Sequence, residues 1–462
     1  MTLCLEEVAR VTGARVMRGD VLTPVRGVST DTRSLAGGEL YVALSGPRHD
    51  GNEFAGRASA AGAGALLLRG NGEEPAVPEG ETPVLLVPDP LRALGDLAAW
   101  HRQRLSAQVV GITGSCGKTT VKEIAAQLLR GHRRVVASPR SFNNAIGVPL
   151  TLLAADESTE VLLCEIGTNA PGEIAALTRI ARPFAGVVTN VGAAHLEGLG
   201  SLDGVAREKS ALAAGVPSQG FVVLNADCRF LEVFQEASSA RVVSFSVEGE
   251  GDLDARDVWF HPAGTTFRLG ELEVTSPLLG LHNVQNLLAA LALCQGLGLS
   301  LEELLPAVET LSTAKQRMER SEHDGVTLID DTYNANPTSA RAAVRVLEGL
   351  HGFARRVLVL GDMLELGELA AELHHEIGLE AARAKLDLFV CVGELSKAAA
   401  AGALEGGLAA ASVLHLDDTE DAVREVPGLL KDGDVALIKG SRGMKLERLV
   451  EAVRLTRGER SA

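Results

Sequence analysis

The sequence predicts an α/β protein with more than one domain, on three observations. Its 462 residues leave room for two to four domains, each with a core of its own. Short apolar runs alternate with helical patterns along most of the chain, as parallel sheets require. The stretch Gln108-Val-Val-Gly-Ile-Thr-Gly-Ser-Cys-Gly-Lys-Thr-Thr120 joins an apolar strand to a helix through a glycine-rich turn. Hydrophobic residues at 46%, charged residues at 23% and 50 glycines against 3% aromatics suit such units and exclude a disordered or fibrous chain.

The first region runs over residues 1–105. It opens with a helix-like start, followed by Val25-Arg-Gly-Val-Ser-Thr-Asp-Thr-Arg-Ser34 and the strand-like Glu39–Leu44. Ser29, Asp31 and Arg33 fall between two strand patterns, where they read either as a turn with side-chain hydrogen bonds or as a ligand loop. Phe54 to Leu68 is alanine-rich and helical in pattern. Asn71 to Pro83 reads as a Gly, Glu and Pro-rich hairpin or loop, and a helix from Pro90 to Leu105 leads out of the region.

The second region, residues 106–312, begins with the glycine-rich turn. Val109, Val110 and Ile112 give the strand; Val121, Ile124, Ala125 and Leu128 share one helix face. Between them Thr113, Gly114, Ser115, Cys116, Gly117, Lys118, Thr119 and Thr120 form a phosphate cradle. Its glycines let backbone N–H groups turn inward, the helix N-terminus adds partial positive charge and Lys118 a full one. Thr119 is placed to set a hydroxyl on a magnesium ion. Ile112 stands where the first glycine of G-x-x-x-x-G-K-[ST] belongs, so the form is the shorter T-G-x-x-G-K-T.

Further along, Val161–Gly167 is a buried-strand run interrupted by Glu165, a carboxylate that a metal ion would compensate. His195 follows the strand Ala185–Val191, as a ligand or phosphate contact, or simply as a loop residue. Asn143 and Asn144 stand in a polar stretch that a turn would also explain. Arg207, Glu208 and Lys209 lie on a helix over Asp203–Ala214, a pattern that usually marks a solvated charged face. Asn283 and Asn286 share a helix face and suit the edge of a purine, or an N-cap plus one buried amide.

The third region, residues 313–462, again alternates, with strands at Thr327–Asp330, Arg356–Leu360, Leu388–Val392 and Val435–Lys439. Their ends are polar or glycine-rich: Asp330-Asp-Thr-Tyr-Asn-Ala-Asn-Pro337, Gly361–Gly367 and Lys439-Gly-Ser-Arg442. Such endings suit a crevice at the carboxyl edge of a sheet. The tail after Val453 is expected to fray.

A net charge of -16 disfavours nucleic acid and anionic membrane surfaces as partners. Six cysteines with no C-x-x-C pair suit a reducing cytosol rather than zinc or disulfide chemistry. The charged N-terminus resembles neither a signal nor a transit peptide, and no apolar run reaches the roughly 18 residues of a membrane span.

In order, T-G-S-C-G-K-T-T, E-I-G at Glu165, A-A-H-L-E-G-L-G-S, H-N-V-Q-N and D-D-T-Y-N-A-N-P resemble the Mur ligases over nearly the whole chain. The resemblance implies a small N-terminal uridine-nucleotide module, a central P-loop ATPase and a C-terminal Rossmann-like domain. N-N-A-I-G-V-P, Y-N-A-N-P and L-G-D-M-L-E-L-G with His374 following imply one activity within the family. That activity is ATP-dependent addition of D-alanyl-D-alanine to UDP-N-acetylmuramoyl-tripeptide, through an acyl phosphate, giving the pentapeptide cell-wall precursor, ADP and phosphate.

By the same resemblance Lys118 and the loop amides hold phosphates, Thr119 and Glu165 a first magnesium ion, and His195 a second. Asn283 and Asn286 lie near adenine, and Arg317 and Asp331 reach the nucleotide from the C-terminal domain. Ser29, Asp31 and Arg33 match the uridine-diphosphate loop, and Lys209 the family's carbamoylated lysine. Asn143, Asn144, Tyr333, Asn334 and Asn336 are assigned to substrates, with Tyr333 to Asn336 and the Gly361–Gly367 turn lining the dipeptide site. This sequence departs from the family's pattern at Ser210 and Ala211, where glycine and glutamate are expected, at Gln316, where glycine is frequent, and at Asn52, where histidine is common. A monomer in the bacterial cytoplasm is expected. The rivals are an earlier Mur ligase, a folylpolyglutamate synthase, which the Asp31-Thr-Arg33 module disfavours, and a nucleotide-switch protein.

Overall fold

The computed structural model describes residues 2–46, 49–70, 77–261 and 263–458. Three sheets organise it. Near the N-terminus a five-stranded sheet runs in the order Arg15–Arg18, Val84–Val87, Ala65–Arg69, Leu40–Val42, Val28–Ser29, antiparallel only at its first pair. Helix Pro90–Arg102 joins its core to the central sheet: Leu94 and Leu97 pack in one cluster with Leu40 and Leu67 on one side and Val109 and Leu162 on the other.

The central sheet has nine strands. Gln108–Thr113 lies between Val161–Glu165 and Ala185–Val188, all parallel, so the phosphate loop, Glu165 and the Thr189–His195 segment leave the sheet at the same edge. The phosphate-loop helix Lys118–Leu129 and the helix Leu281–Gly296 pack on the same face of these strands. In the C-terminal region six strands run in the order Glu319–His323, Val326–Asp331, Asp434–Lys439, Arg355–Gly361, Leu388–Val392, Val413–Leu416, antiparallel only at the first pair. Asp434–Lys439 is thus flanked by the two strands whose ends carry the Asp331–Asn336 and Asp362–Leu366 loops.

The structure corrects several local expectations. The start is a short strand, Thr2–Cys4, before the helix Leu5–Thr12. Phe54 to Leu68 is not one helix: helix Ala55–Ala60 stops, Gly62 turns the chain at φ 88°, and Ala65–Arg69 becomes a buried strand. Alanine and leucine there carry helical propensity, but the sheet's need for an apolar strand overrides it. Of the expected hairpin or loop, residues 71–76 lie outside the described residues, and Val77–Pro83 has no regular structure. In the central region the alternation fails over Leu253–His261, Gly264–Leu269 and Leu272–Ser276, an antiparallel meander with no intervening helix. The tail does not fray at Val453, since helix Glu447–Arg457 continues and Arg457 bonds the Leu430 carbonyl. Among the described residues no helix is long and apolar enough to cross a membrane.

Candidate active site

A cavity of about 700 Å³ opens where the central and C-terminal sheets present their carboxyl edges to each other. Its floor is the phosphate loop. Gly117 has φ 83°, and a Cβ there would collide with the Asn286 side chain, so only glycine lets the helix Leu281–Gly296 approach the loop. Lys118 Nζ donates to the Gly114 carbonyl at 2.7 Å, and burial pushes its pKa below the ordinary lysine value while Glu165 pulls it up. The neighbouring strand end clamps the loop from behind. Cys116 N–H donates to Asn190 Oδ1 at 2.9 Å, and Ser115 N–H to the Asn190 carbonyl at 3.1 Å.

Beside Lys118 stands a buried oxygen pair: Thr119 Oγ1 donates to Glu165 Oε2 at 2.7 Å. Glu165 is 1% exposed and is held from two further sides. Asn143 Nδ2 donates to its Oε1 at 2.9 Å, and the fully buried Lys122 Nζ lies 3.9 Å from its Oε2. Lys122 also bonds the Ser138 carbonyl at 2.6 Å and the Arg140 carbonyl, tying the helix to the segment that carries Asn143. Among the described residues no group of three or more His, Cys, Asp or Glu side chains could hold a metal by itself. A hydroxyl and a carboxylate are nonetheless the hard oxygen donors that magnesium takes when phosphates complete its shell, so the pair fits the ion.

His195 caps the short helix Leu196–Leu199 at φ 56°, and its Nδ1 lies 3.2 Å from Glu365 Oε2 of the C-terminal region. Burial and Lys118 lower its pKa, against the pull of Glu365. Lys209 is 2% exposed and Glu208 9%, so the solvated-face reading of that helix fails for both; Arg207 alone is exposed. Burial, then Lys118, push the Lys209 amine down to about 7. Glu208 is bound to backbone, accepting from Gly172 N at 2.7 Å and Ile174 N at 2.8 Å at the start of helix Glu173–Ala181.

The C-terminal region supplies the roof. Arg317 Nη2 donates to Thr119 Oγ1 at 3.0 Å, and its guanidinium lies 4.2 Å from the Tyr333 ring centre. The Tyr333 hydroxyl bonds Ser141 Oγ across the cleft. Asp331 accepts from Lys439 Nζ at 2.6 Å, and Asn336 caps helix Pro337–Gly349 with its amide 3.2 Å from Cys116 Sγ. Asn334 Oδ1 accepts from Ala335 N at 2.9 Å. Asn283 and Asn286 are buried and bond each other at 3.1 Å on the wall behind Gly117. Asn144 bonds backbone instead, accepting from Gly147 N at 2.9 Å, and with Asn143 and His195 lines a smaller adjoining cavity of about 150 Å³. Ser29, Asp31 and Arg33 form one loop that does not line the cavity. Arg33 pairs with Asp31 at 2.6 Å and holds that carboxyl down at about 2.

Three family descriptions match the chain: Mur ligase family, catalytic domain, over residues 24–102; Mur ligase middle domain, over 112–294; and Mur ligase, glutamate ligase domain, over 316–442. Over 447 residues the chain is 37% identical to the UDP-N-acetylmuramoyl-tripeptide–D-alanyl-D-alanine ligase of Bacillus subtilis, covering 95% of this chain and 96% of that one. The chain belongs to the Mur ligase family. The Escherichia coli ligase of the same name is 38% identical over 92% of this chain and 93% of its own. A crystal structure of MurF from Acinetobacter baumannii superposes with a TM-score of 0.88 at 31% identity, covering 98% and 99% of the two chains. The Thermotoga maritima MurF ligase in complex with ADP gives 0.81 at 28%, covering 94% and 98%. As in these Mur ligases the fold is α/β with mostly parallel sheets.

In this Mur ligase's cleft Lys122 and Ser141 were not singled out by the sequence, and Lys439 and Glu365 only as parts of polar strand ends. Lys122 and Lys439 are buried cations, 0% exposed by side chain and 2% exposed respectively, each set against a carboxylate. Lys439 ends an apolar strand in the same way as Glu165, a signal that was present. Lys122 recurs one helical turn after Lys118, a weaker signal. The pairings of Ser141 and Glu365 carry none, because the partners lie 192 and 170 residues away. Gln316, which stands where the family often has glycine, keeps the left-handed backbone at φ 61°.

Proposed function

We propose that this Mur ligase joins D-alanyl-D-alanine to the terminal carboxylate of UDP-N-acetylmuramoyl-tripeptide at the expense of ATP. The observation that carries the reading is the single cavity in which a phosphate loop, a buried carboxylate-hydroxyl pair and three polar strand ends of a second sheet face one another. Carboxylate and amine do not condense in water, so ATP first converts the tripeptide carboxylate to an acyl phosphate, which the dipeptide amine then attacks.

Lys118 and the loop amides set positive charge against the transferring phosphoryl oxygens. Thr119 and Glu165 would hold one magnesium ion and His195 a second. Bound magnesium supplies charge neutralisation to oxygens that otherwise repel the incoming carboxylate. Asn143 and Lys122 fix the Glu165 carboxylate. Arg317 and Asp331 are read as nucleotide contacts from the roof, and Asn283 and Asn286 as the wall near the base. Closure of the roof over the floor orients the amine and excludes water, which would hydrolyse the acyl phosphate. Lys209 is read as a carbamate, supported by its burial beside the site and the family match; the neutral amine is the form that reacts with carbon dioxide. Asp31 and Arg33 serve the uridine diphosphate from outside the cavity. Domain limits near residues 105 and 312 are supported by each sheet lying wholly within one segment. The free cysteines suit a reducing, cytoplasmic setting, and a monomer is the simplest state for a cleft built within one chain.

The test is to incubate protein with ATP, magnesium, D-alanyl-D-alanine and UDP-tripeptides bearing meso-diaminopimelate or L-lysine, and to identify the product by mass. Phosphate release that needs both cosubstrates supports the ligase. Release with ATP alone, and no ligated product, overturns it in favour of a nucleotide switch.

A further inference from the structure

The acceptor in the proposed reaction carries two charges, an amine that reacts and a carboxylate that does not. A cleft that takes it needs a cation for the second. Most cations on the cavity wall are already committed: Lys118 to the phosphate loop, Arg317 to Thr119 at 3.0 Å, and Lys439 to Asp331 at 2.6 Å. Two others line the wall: Arg229 of the central region, whose guanidinium lies 4.6 Å from the Phe230 ring centre, and, at the strand ends of the C-terminal sheet, Arg442. Arg442 stands just beyond the central strand Asp434–Lys439, between the Asp331–Asn336 and Asp362–Leu366 loops.

The segment that carries it is fastened to both loops. Lys439 Nζ donates to the Asn334 carbonyl at 3.0 Å, and Ser441 Oγ donates to the Ala335 carbonyl at 3.2 Å and accepts from Leu364 N at 2.9 Å. Arg442 N–H itself reaches Asn334 Oδ1 at 3.4 Å. Its guanidinium has one hydrogen bond among the described residues, to Gln316 Oε1 at 3.1 Å, and a longer approach of 3.6 Å to Glu447. Of the five N–H donors of a guanidinium, most remain for a planar anion. The guanidinium of Arg442 lies 5.6 Å, and that of Arg317 4.2 Å, from the centre of the Tyr333 ring, so the two cations share one aromatic neighbour. Arg317 in turn touches the phosphate loop. A dipeptide spans at most about 7 Å, so a carboxylate on Arg442 leaves its amine within reach of the Arg317 side of the cleft, next to the phosphate loop. Leu364 and Ala335 beside the segment suit two methyl groups.

We propose that Arg442 binds the terminal carboxylate of the acceptor dipeptide and makes a free carboxylate a condition of good acceptance. The inference rests on the ligase reading above. The experiment measures ligation of D-alanyl-D-alanine and of its C-terminal amide by the wild type, Arg442→Gln and Arg442→Lys. In the wild type the amide should show a KM at least about tenfold higher, the worth of a charge-assisted pair. Arg442→Gln should raise the KM for the dipeptide by a similar factor, leave that for the amide nearly unchanged, and leave the KM for ATP unchanged. Arg442→Lys, which keeps the charge but not the fork, should fall between. Equal use of both acceptors by the wild type overturns this inference alone, without recourse to any variant. A rise in both acceptor KM values together, or in that for ATP, also overturns it, by assigning Arg442 a general structural role. No ligated product with either acceptor overturns the ligase reading and this inference with it.

Discussion

Burial lowers the proton affinity of both Lys118 and Lys209, but Glu165 pulls Lys118 back up whereas Lys118 pushes Lys209 further down. At Lys118 the proposed role needs the charge to persist, since it would meet phosphate oxygens. Lys118→Ala removes it without opening the core, so phosphate release should fall to background while the melting temperature stays near wild type; unchanged release would sink the phosphate-loop assignment. At Lys209 the ammonium would repel both Lys118 and a bound cation. With its amine held at about 7, the neutral form prevails in mildly alkaline buffer and can capture carbon dioxide, turning +1 into -1. Native mass measurement should find one carbon dioxide on Lys209, and Lys209→Ala should lose most turnover. If that variant turned over like wild type in carbon-dioxide-depleted buffer, the lysine would be a passive buried residue.

Two elements owe their position to side chains that the sequence makes look superficial. Glu208, in a run of charges on a helix, is the cap of another helix, Glu173–Ala181. Glu208→Ala leaves the N–H groups of Gly172 and Ile174 without their acceptor and should destabilise the protein by about 1–3 kcal/mol. Thermal or urea unfolding will show it; a change below about 0.5 kcal/mol would mean that water replaces the cap. His374 holds the Asp362–Leu366 loop, its Nε2 accepting from Met363 N at 2.9 Å and its protonated Nδ1 donating to the Ala370 carbonyl at 2.6 Å. Burial keeps its pKa below the ordinary 6.5, with Asp362 pulling the other way. The unfolded chain therefore binds more protons in the window below 6.5, and the stability present above it is lost as pH falls through the folded value. The melting temperature of wild type should drop on acidification more than that of His374→Gln, with the dipeptide KM rising in step. Parallel acid curves for the two proteins would remove His374 from the account.

At the scale of the molecule, local chemistry was readable and distance was not. A glycine turn between strand and helix, a carboxylate ending an apolar strand, and polar endings on three strands of the last sheet were enough to anticipate one crevice. The meander over residues 253–276 was not, because its alternating, half-solvated pattern resembles parallel strands seen one at a time. Nor were the contacts that join floor to roof: Ser141 with Tyr333, His195 with Glu365, Cys116 with Asn336 and Thr119 with Arg317. These bonds join two regions that also meet through apolar packing, Leu279 being buried in one cluster with Val346 and Leu347, and few of the bonds are strong. The His195–Glu365 pair is half exposed and contributes at most about 1 kcal/mol; the Tyr333 hydroxyl contributes about 1 kcal/mol. A loss of 1 kcal/mol shifts a two-state population about fivefold, so removing two such bonds weakens the arrangement seen here measurably against any more open one. On the proposed reading magnesium would take a second lone pair of the Thr119 oxygen beside the Arg317 cation, so nucleotide binding and this contact are coupled. Combining Tyr333→Phe with Glu365→Gln should therefore enlarge the radius of gyration of the ligand-free protein in solution scattering, while unfolding of each region stays unchanged. On the proposed reading, which sets the dipeptide under the roof and ATP on the floor, the same double variant should raise the KM for the dipeptide more than that for ATP. A scattering curve identical to wild type would show that these bonds follow closure rather than hold it, and would leave the Arg317 to Thr119 contact as the restraint to remove.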